Sequence, residues 1–248
     1  MKILFSPSET KNSGGFNKSF DSSSFIFPEL YSFREEILNK YNNFIKTASK
    51  AQLEKLFGTK KDEIINSYKK DIFQSLIMKA ILRYEGVAYD YLEYKVLDRN
   101  EQKYIDENVL IFSNLFGVLK ASDEIPDYKL KQGETFENLK IEKFYCDSFC
   151  SKLDEFLKDE DIIDLRAGFY EKFYQIKKPY ITMKFIKDGK VVSHWAKAYR
   201  GIILKLLAQN NIQNIDQLMS MEIDNLSIEE IKKQKLKTEI IYSINKGK

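Results

Sequence analysis

The stretch VLIFSNLFGVLKASDEIPDYKLKQG, residues 109–133, decides the fold that we expect for this chain. It begins with an apolar run, residues 109–112, of the right length for a strand buried on both faces. After Ser113 it crosses a second apolar patch into a polar loop that holds Asp123 and Tyr128. Open α/β sheets bind ligands just beyond the carboxyl ends of their strands, so this loop is a candidate site.

Two other segments repeat this arrangement of an apolar run followed by a polar loop. KILF at residues 2–5 leads into SPSETK at 6–11, and DIIDL at 161–165 leads into RAGFY at 166–170. Three short strands that end in Ser, Gly, Lys or Arg predict one shared site. Helical patterns lie between them, so we expect a mixed α/β (α+β) fold, with a mixed β-sheet wrapped by helices in one domain over residues 1–248.

Composition places the chain among ordinary globular proteins. Of its 248 residues, 43% are apolar and 31% are charged, which allows a sizeable core. The net charge of +3 permits a nucleic-acid partner without demanding one. No run approaches the ~20 apolar residues of a membrane span, and the N-terminus turns polar after Phe5. With two cysteines and one histidine, His194, we expect a cytoplasmic protein without disulfides, metal or other cofactor.

Residues 49–70 predict a helix-hairpin-helix-like element. A capping box starts a helix over residues 51–57, Gly58 ends it, and another helix is expected over 60–68. Such a unit presents backbone amides to a phosphate. An ordinary helical turn is the alternative, because the second hairpin glycine is missing. The lysines that would point toward the phosphate are Lys55, Lys60 and Lys61.

Two cysteines lie on a predicted amphipathic helix over residues 144–157. Cys146 and Cys150 both fall on its apolar stripe, so we expect two small buried hydrophobic residues. The alternative is a redox pair that senses oxidant. Residues four apart on a helix are poorly placed to bridge without distorting it.

Local patterns predict several further elements. Residues 72–82 have the pattern of a helix, and the runs 180–187 and 190–194 form a hairpin around an Asp-Gly turn. A capping box lies at 227–230, and 239–244 are expected to form a final edge strand.

A basic helix follows the predicted hairpin. Lys197 and Arg200 share one face of its first turn, where cations oppose the helix dipole. This unfavourable placement suggests a bound anion. Two solvated basic residues are the alternative.

Four motifs lie along nearly the whole chain: SPSETK at 6–11, EGVAY at 85–89, FSNLFGVLKASDEIPDYKL at 112–130 and AKAYRG at 196–201. In order and spacing they resemble the YaaA family of bacterial peroxide-stress proteins. The resemblance implies a DNA-binding protein with a single mixed α/β domain, a helix-hairpin-helix element and a positively charged cleft. The positions that match are Ser6, Pro7, Lys11, Ser113, Leu115, Gly117, Val118, Leu119, Asp123, Tyr128, Leu130, Gly133, Tyr170, Lys197, Arg200 and Gly201.

The chain also departs from the family's pattern. Lys129 and Lys131 replace an arginine and a glutamate, Asp164 stands where an asparagine is usual, and Phe169 where a glutamate is usual. Lysine cannot reproduce the bidentate phosphate geometry of arginine. Loss of the acidic position weakens any specific catalytic role and leaves a basic cleft intact.

We therefore expect a monomeric peroxide-stress protein that binds duplex, damaged or bulged DNA through its phosphates, without reading the base sequence. The expected DNA contacts are Lys11, Lys55, Gly58, Lys60, Lys61, Lys129, Arg166, Lys197 and Arg200. The residues expected to complete the cleft are Ser6, Pro7, Ser113, Gly117, Asp123, Tyr128, Tyr170 and Gly201.

Two alternatives use other chemistry, and we favour a binding protein over either. The first is an enzyme that acts on a nucleotide or nucleobase in the same cleft, with Asp123, Tyr128, Tyr170 and Lys197 as the reacting groups. The second is a thiol peroxidase or oxidant sensor, which needs an accessible cysteine of low pKa.

Overall fold

A mixed β-sheet packed against helices forms the centre of the protein. The computed structural model describes residues 1–16 and 21–245. Among the described residues, no helix combines the length and the apolar character needed to cross a bilayer. The strands are β1 (Lys2–Phe5), β2 (Ile77–Lys79), β3 (Val109–Ser113), β4 (Gly117–Lys120), β5 (Glu124–Pro126), β6 (Ile162–Asp164), β7 (Tyr180–Lys187), β8 (Lys190–Val191), β9 (Leu226–Lys233) and β10 (Lys237–Ile244). The helices are α1 (Tyr31–Thr47), α2 (Lys50–Phe57), α3 (Asp62–Ser67), α4 (Ala80–Arg83), α5 (Val87–Leu92), α6 (Arg99–Asn108), α7 (Ile141–Phe156), α8 (Ser193–Gln209) and α9 (Ile215–Met219).

The three strands predicted around one site are neighbours in the sheet. The strand order is β4-β3-β1-β6-β7-β10-β9, with β8 paired to β7. β1 is parallel to β3 on one side and to β6 on the other, so Ile3 pairs with both Val109 and Ile163. β7 and β10 continue in parallel, whereas β4 and β9 run antiparallel at the two edges. The polar loops after β1 and β6 therefore leave the sheet at the same edge.

Apolar runs explain why these strands occupy the centre. Every residue of β3 and β6 is buried, as expected for strands that are covered on both faces. The buried aliphatic and aromatic side chains form one connected core. The predicted single domain of mixed α/β class is confirmed.

Several local patterns fold differently because distant strands pair with them. Residues 72–82, predicted as a helix, contain a 3-10 turn, strand β2 and helix α4, and β2 pairs with β5. The capping box at 227–230 lies in β9. The predicted edge strand 239–244 belongs to β10, which lies between β7 and β9. The second strand of the predicted hairpin stops early, because α8 begins at Ser193.

The element predicted as a helix-hairpin-helix is the helix pair α2 and α3. Its capping box is present, and Gly58 ends α2 with a φ of +65°, a conformation that favours glycine. A Cβ on Gly58 would lie 2.7 Å from the Lys131 side chain, so the turn packs against the protein. Asp62 and Glu63 occupy the first turn of α3 and satisfy its dipole with negative charge. A phosphate-binding hairpin is therefore not confirmed.

Candidate functional site

The predicted site residues converge at the carboxyl ends of β1 and β6. In the sheet, β3 lies on one side of β1, whereas β6 and β7 lie on the other side. The order of the strands along the chain therefore reverses between β1 and β6, and a crevice opens between these two strands. A cavity of about 390 Å³, which we call the switch-point cavity, occupies this position. Its lining consists of Phe5, Ser6, Pro7, Ser8, Glu9, Thr10, Gly86, Val87, Ala88, Tyr89, Gln132, Leu165, Ala167, Tyr170, Lys197 and Arg200.

Two other surface depressions, of about 500 and 600 Å³, lie near the C-terminal end of α8. Their linings include Asp216 and Glu107 and a single cation, Lys103. The switch-point cavity is smaller but contains two cations beside serine and tyrosine hydroxyls. It is therefore the better candidate for binding an anion.

The loop after β1 forms one wall of the cavity and is fastened at Ser6. The Oγ atom of Ser6 accepts a hydrogen bond of 2.7 Å from the backbone N–H of Ala167, which joins the loops after β1 and β6. The Ser6 carbonyl accepts a hydrogen bond of 2.8 Å from the Tyr89 hydroxyl, which joins the loop to α5. These bonds leave the Ser6 hydroxyl proton free to be donated to a ligand.

Lys197 and Arg200 bring positive charge to the cavity from consecutive turns of α8. Lys197 is exposed and Arg200 is half-buried. Burial lowers the pKa of Arg200, while the nearby charges of Asp164 and Glu171 act in the opposite direction. Within the described part of the chain, neither cation makes a hydrogen bond or an ion pair with another residue. Two cations without a bonded protein anion favour binding of an anionic ligand.

Gly201 explains how α8 reaches the cavity wall. A Cβ atom at this position would overlap the carbonyl oxygen of Ala88 in α5. Only glycine permits such an approach of two backbones. The close contact brings the basic turns of α8 beside residues 86–89, which line the cavity.

Arg166 is not on the cavity surface, although the sequence predicted it as a DNA contact. Its Nε and Nη2 atoms each donate a 2.8 Å hydrogen bond to the Asp164 carboxylate. Its Nη1 atom donates to the carbonyls of Tyr170 and Tyr174, and its guanidinium carbon lies 4.5 Å from the ring centroid of Phe112. The side chain is buried, so Arg166 shapes the segment that carries Tyr170 into the cavity.

Lys11 is buried as well, although it too was predicted to contact DNA. Its Nζ atom donates 3.3 Å hydrogen bonds to the carbonyls of Ser8 and Glu9, and lies 4.1 Å from the ring centroid of Tyr128. Burial lowers the pKa of Lys11 to about 7, against the opposing attraction of Asp127. Lys11 therefore supports the cavity loop from within, and a contact with a phosphate would require the protein to open.

The stability of the protein is expected to depend on the charge of Lys11. The folded pKa of about 7 lies below the ordinary lysine pKa of 10.5, so the unfolded chain binds more protons between these two pH values and stability rises with pH. Relative to Lys11→Met, the wild type should gain several kcal/mol between about pH 7 and pH 10. Chemical denaturation of both proteins across this range tests the prediction. A constant difference would contradict burial of the amine.

Ser113 and Tyr128 lie outside the cavity lining, in a buried hydrogen-bond network. The Tyr128 hydroxyl is 2.8 Å from the Oγ atom of Ser113 and 3.0 Å from the hydroxyl of Tyr84. It also donates a 3.0 Å hydrogen bond to the Oδ1 atom of Asn114. The network holds the ring on which the Lys11 ammonium lies. These two motif residues therefore act through Lys11 and the loop after β1.

Asp123 and Gly117 are also structural. The Oδ2 atom of Asp123 accepts hydrogen bonds from the backbone N–H groups of Ile26 and Lys120, at 3.1 and 3.0 Å. Burial raises the pKa of Asp123 to about 6. A Cβ on Gly117 would lie 2.6 Å from the ring of Tyr145. Neither residue lines the switch-point cavity.

The remaining predicted DNA contacts lie outside the cavity. Loop 131–134 connects the helix pair α2 and α3 to the cavity. The backbone N–H of Lys131 donates to the carbonyl of Leu56 in α2, at 2.9 Å. The N–H of the next residue, Gln132, donates to the Oε1 atom of Glu9, at 3.0 Å. Gln132 lines the cavity, so this loop reaches both. Lys55 pairs with Glu134 at 3.8 Å, Lys60 and Lys61 are exposed, and the Nζ atom of Lys129 lies 5.9 Å from the ring centroid of Tyr68.

The cavity lining also includes Glu9, Gln132 and Ala167, which the sequence did not predict as site residues. Glu9 is the only carboxylate in the described lining. Its place within SPSETK, beside Ser6 and Pro7, could have indicated that it belongs to the site. Gln132 and Ala167 enter through backbone contacts that no local pattern reveals. Tyr170, which the sequence predicted as a cleft residue, lines the cavity. Burial raises its pKa, so its phenol is a neutral hydrogen-bond donor. Within residues 1–16 and 21–245, no three His, Cys, Asp or Glu side chains converge as metal ligands would.

Comparison with known proteins places the chain in a family. The family model described as peroxide stress protein YaaA matches residues 1–232. An uncharacterized protein of Campylobacter jejuni is 50% identical over 98% of this chain and 99% of its own length. A UPF0246 protein of Corynebacterium glutamicum is 32% identical over 89% and 91%, and one of Fusobacterium nucleatum is 28% identical over 92% and 93%. The chain belongs to the peroxide stress protein YaaA family, also called UPF0246.

Proposed function

We propose that this protein acts in the peroxide-stress response by binding a nucleotide phosphate of DNA in the switch-point cavity. The observation that carries the proposal is the pair Lys197 and Arg200, which line the cavity without a bonded partner among the described residues. Arg200 offers a planar fork that matches two phosphate oxygens, and Lys197 adds a point charge at the surface. The resemblance to a family described as DNA-binding supports DNA as the source of the phosphate.

The volume of the cavity limits which DNA structure it takes. About 390 Å³ suits a small ligand, so it accommodates about one nucleotide and excludes a duplex. A bulged, damaged or extruded nucleotide is therefore the expected occupant. Exposed Lys60 and Lys61 would add contacts to neighbouring phosphates, because loop 131–134 lies between their helix pair and the cavity. Such contacts position DNA without reading its sequence.

The second candidate function is an enzyme that acts on a free nucleotide or nucleobase. The observation in its favour is that Glu9 and Tyr170 line the same cavity as the two cations. A carboxylate and a neutral phenol there could serve as base and hydrogen-bond donor. Asp123 and Tyr128, named earlier as reacting groups, lie outside the lining, so Glu9 takes the place of Asp123 in this candidate.

The double variant Lys197→Glu, Arg200→Glu is expected to bind bulged DNA more than about tenfold more weakly than the wild type, because two charged contacts are lost. The slope of log affinity against log salt concentration should also fall by about 2. Fluorescence anisotropy of labelled duplex, bulged and single-stranded DNA at several salt concentrations measures both effects.

The control carries the same charge change away from the cavity. Lys103 and Lys143 are exposed residues of α6 and α7, and Lys103→Glu, Lys143→Glu should keep most of the affinity. Equal losses in both double variants would mean that only net charge matters. Chemical conversion of a free mononucleotide, rather than its displacement of bulged DNA alone, would instead favour the enzyme.

A further inference from the structure

Cys146 and Cys150 form a close pair of thiols on α7. Their Sγ atoms are 2.8 Å apart, and both cysteines are free. Each is half-buried, which is less than the burial expected of two small buried hydrophobic residues, although Cys150 packs against the core. The apolar stripe of α7 is completed by Tyr145, Phe149 and Leu153, which leaves the two sulfurs at the margin of the core.

We propose that Cys146 and Cys150 are an oxidation site, which hydrogen peroxide converts into a disulfide within α7. The proposal goes beyond DNA binding and does not depend on what the switch-point cavity holds. The distance between the sulfurs is less than an ångström longer than a disulfide bond of about 2.05 Å. Residues four apart on a helix have Cα atoms separated by about 6 Å, which lies within the range found for disulfides.

The surroundings assign different roles to the two sulfurs. Burial and the neighbouring sulfur raise the pKa of Cys150, so this residue remains a thiol. Its Sγ atom donates a 3.6 Å hydrogen bond to the carbonyl of Phe173. Lys143 interacts electrostatically with Cys146, and Lys177 interacts with both sulfurs; each lysine also pairs with an aspartate of α7. Since Cys150 keeps its proton, Cys146 is the sulfur that attacks peroxide.

The reaction takes two steps and consumes one peroxide. The Cys146 thiolate attacks one peroxide oxygen, the O–O bond breaks, and the released hydroxide takes a proton to become water. Cys146 is then a sulfenic acid. The sulfur of Cys150 attacks it, the S–S bond forms, the S–O bond breaks and a second water leaves. Two thiols lose two electrons in total, and one hydrogen peroxide is reduced to two waters.

Formation of the disulfide has a structural consequence for the 3-10 helix Gly168–Phe173 beside α7. The disulfide removes the S–H group that Cys150 donates to Phe173. Phe173 ends the 3-10 helix Gly168–Phe173, which carries Tyr170. The turn of α7 between the two cysteines must also tighten, because the Cβ atoms of a disulfide lie about 3.8 Å apart.

The test treats the native wild type, Cys146→Ser and Cys150→Ser with hydrogen peroxide, then alkylates remaining thiols under denaturing conditions and measures intact mass. The wild type should lose both alkylatable thiols, lose the mass of two hydrogens and recover both thiols with a reductant. It should remain a monomer on a non-reducing gel. Cys150→Ser, which keeps the attacking sulfur, should instead acquire oxygen atoms or form intermolecular dimers, whereas Cys146→Ser should keep its remaining thiol alkylatable for longer.

Two results would overturn the proposal. One is a wild type that keeps both thiols at a peroxide dose that oxidises free cysteine under the same conditions. The other is a wild type whose oxidised product carries added oxygen on one cysteine while the second remains alkylatable. Both results come from thiol alkylation and intact mass and do not involve DNA binding. Failure of this proposal is therefore distinguishable from failure of the proposed function.

Discussion

Replacing Gly201 by alanine is expected to destabilise the protein by about 3 kcal/mol or more, at the upper end of the usual cost of overpacking. The added Cβ would overlap the carbonyl oxygen of Ala88. This neighbour is backbone rather than a flexible side chain, so α5 and α8 must move apart. The two helices supply the Tyr89 and Arg200 walls of the cavity. DNA binding should therefore weaken together with stability.

A second glycine offers a matched control for this prediction. The nearest atom to a Cβ on Gly168 would be a side-chain oxygen of Glu171, at 3.8 Å, which is an ordinary contact. Gly168→Ala should therefore change stability by less than about 0.5 kcal/mol. Urea denaturation of the three proteins measures the difference. If Gly201→Ala is as stable as the control, the two backbones do not lie in contact.

Replacing Arg166 by alanine is expected to destabilise the protein by about 3–5 kcal/mol, because it leaves the buried Asp164 carboxylate without its partner. The change also removes hydrogen-bond donors from the carbonyls of Tyr170 and Tyr174. Arg166→Lys should recover only part of the loss, since an ammonium cannot reproduce two parallel hydrogen bonds to one carboxylate. Chemical denaturation at neutral pH measures both variants.

Arg200 provides the contrasting arginine for this experiment. It has no bonded partner among the described residues, so Arg200→Ala should change stability by less than about 1 kcal/mol. We expect the same variant to weaken DNA binding. An Arg166→Ala protein with wild-type stability and weakened binding would instead support the exposed DNA contact that the sequence predicted.

The central strands could be predicted from sequence because short apolar runs indicate their burial without knowledge of distant contacts. The runs at 2–5, 109–112 and 161–165 are apolar at most positions, and such runs fit strands covered on both faces. The capping box at 227–230 was misleading because the pairing of β9 with β10 dominates there. The prediction of a helix over 72–82 was wrong for a similar reason, because β2 pairs with β5, which is distant from it in the sequence.

The cavity was predicted in part, because charge alone does not reveal burial. Ser6, Tyr170, Lys197 and Arg200 do share one cavity, as the strand ends suggested. Lys11 and Arg166 carry the same charge but lie inside the protein. Asp164, whose carboxylate pairs with Arg166, lies two residues before it. An ion pair on the surface could have the same spacing, so the sequence does not show that this pair is buried. The proximity of Glu9 to Gln132 depends on tertiary folding, which sequence spacing does not encode.

The hydroxyl network around Tyr128 has one permitted direction of hydrogen bonding. The amide nitrogen of Asn114 donates to the carbonyl of Leu130, so its Oδ1 atom must receive the proton of Tyr128. Since a phenol has only one proton, Ser113 and Tyr84 must both donate to Tyr128. A proton wire works only if every hydroxyl in it can reverse, and the fixed amide prevents reversal here. This network therefore cannot conduct protons to Lys11, whose Nζ atom donates instead to the carbonyls of Ser8 and Glu9.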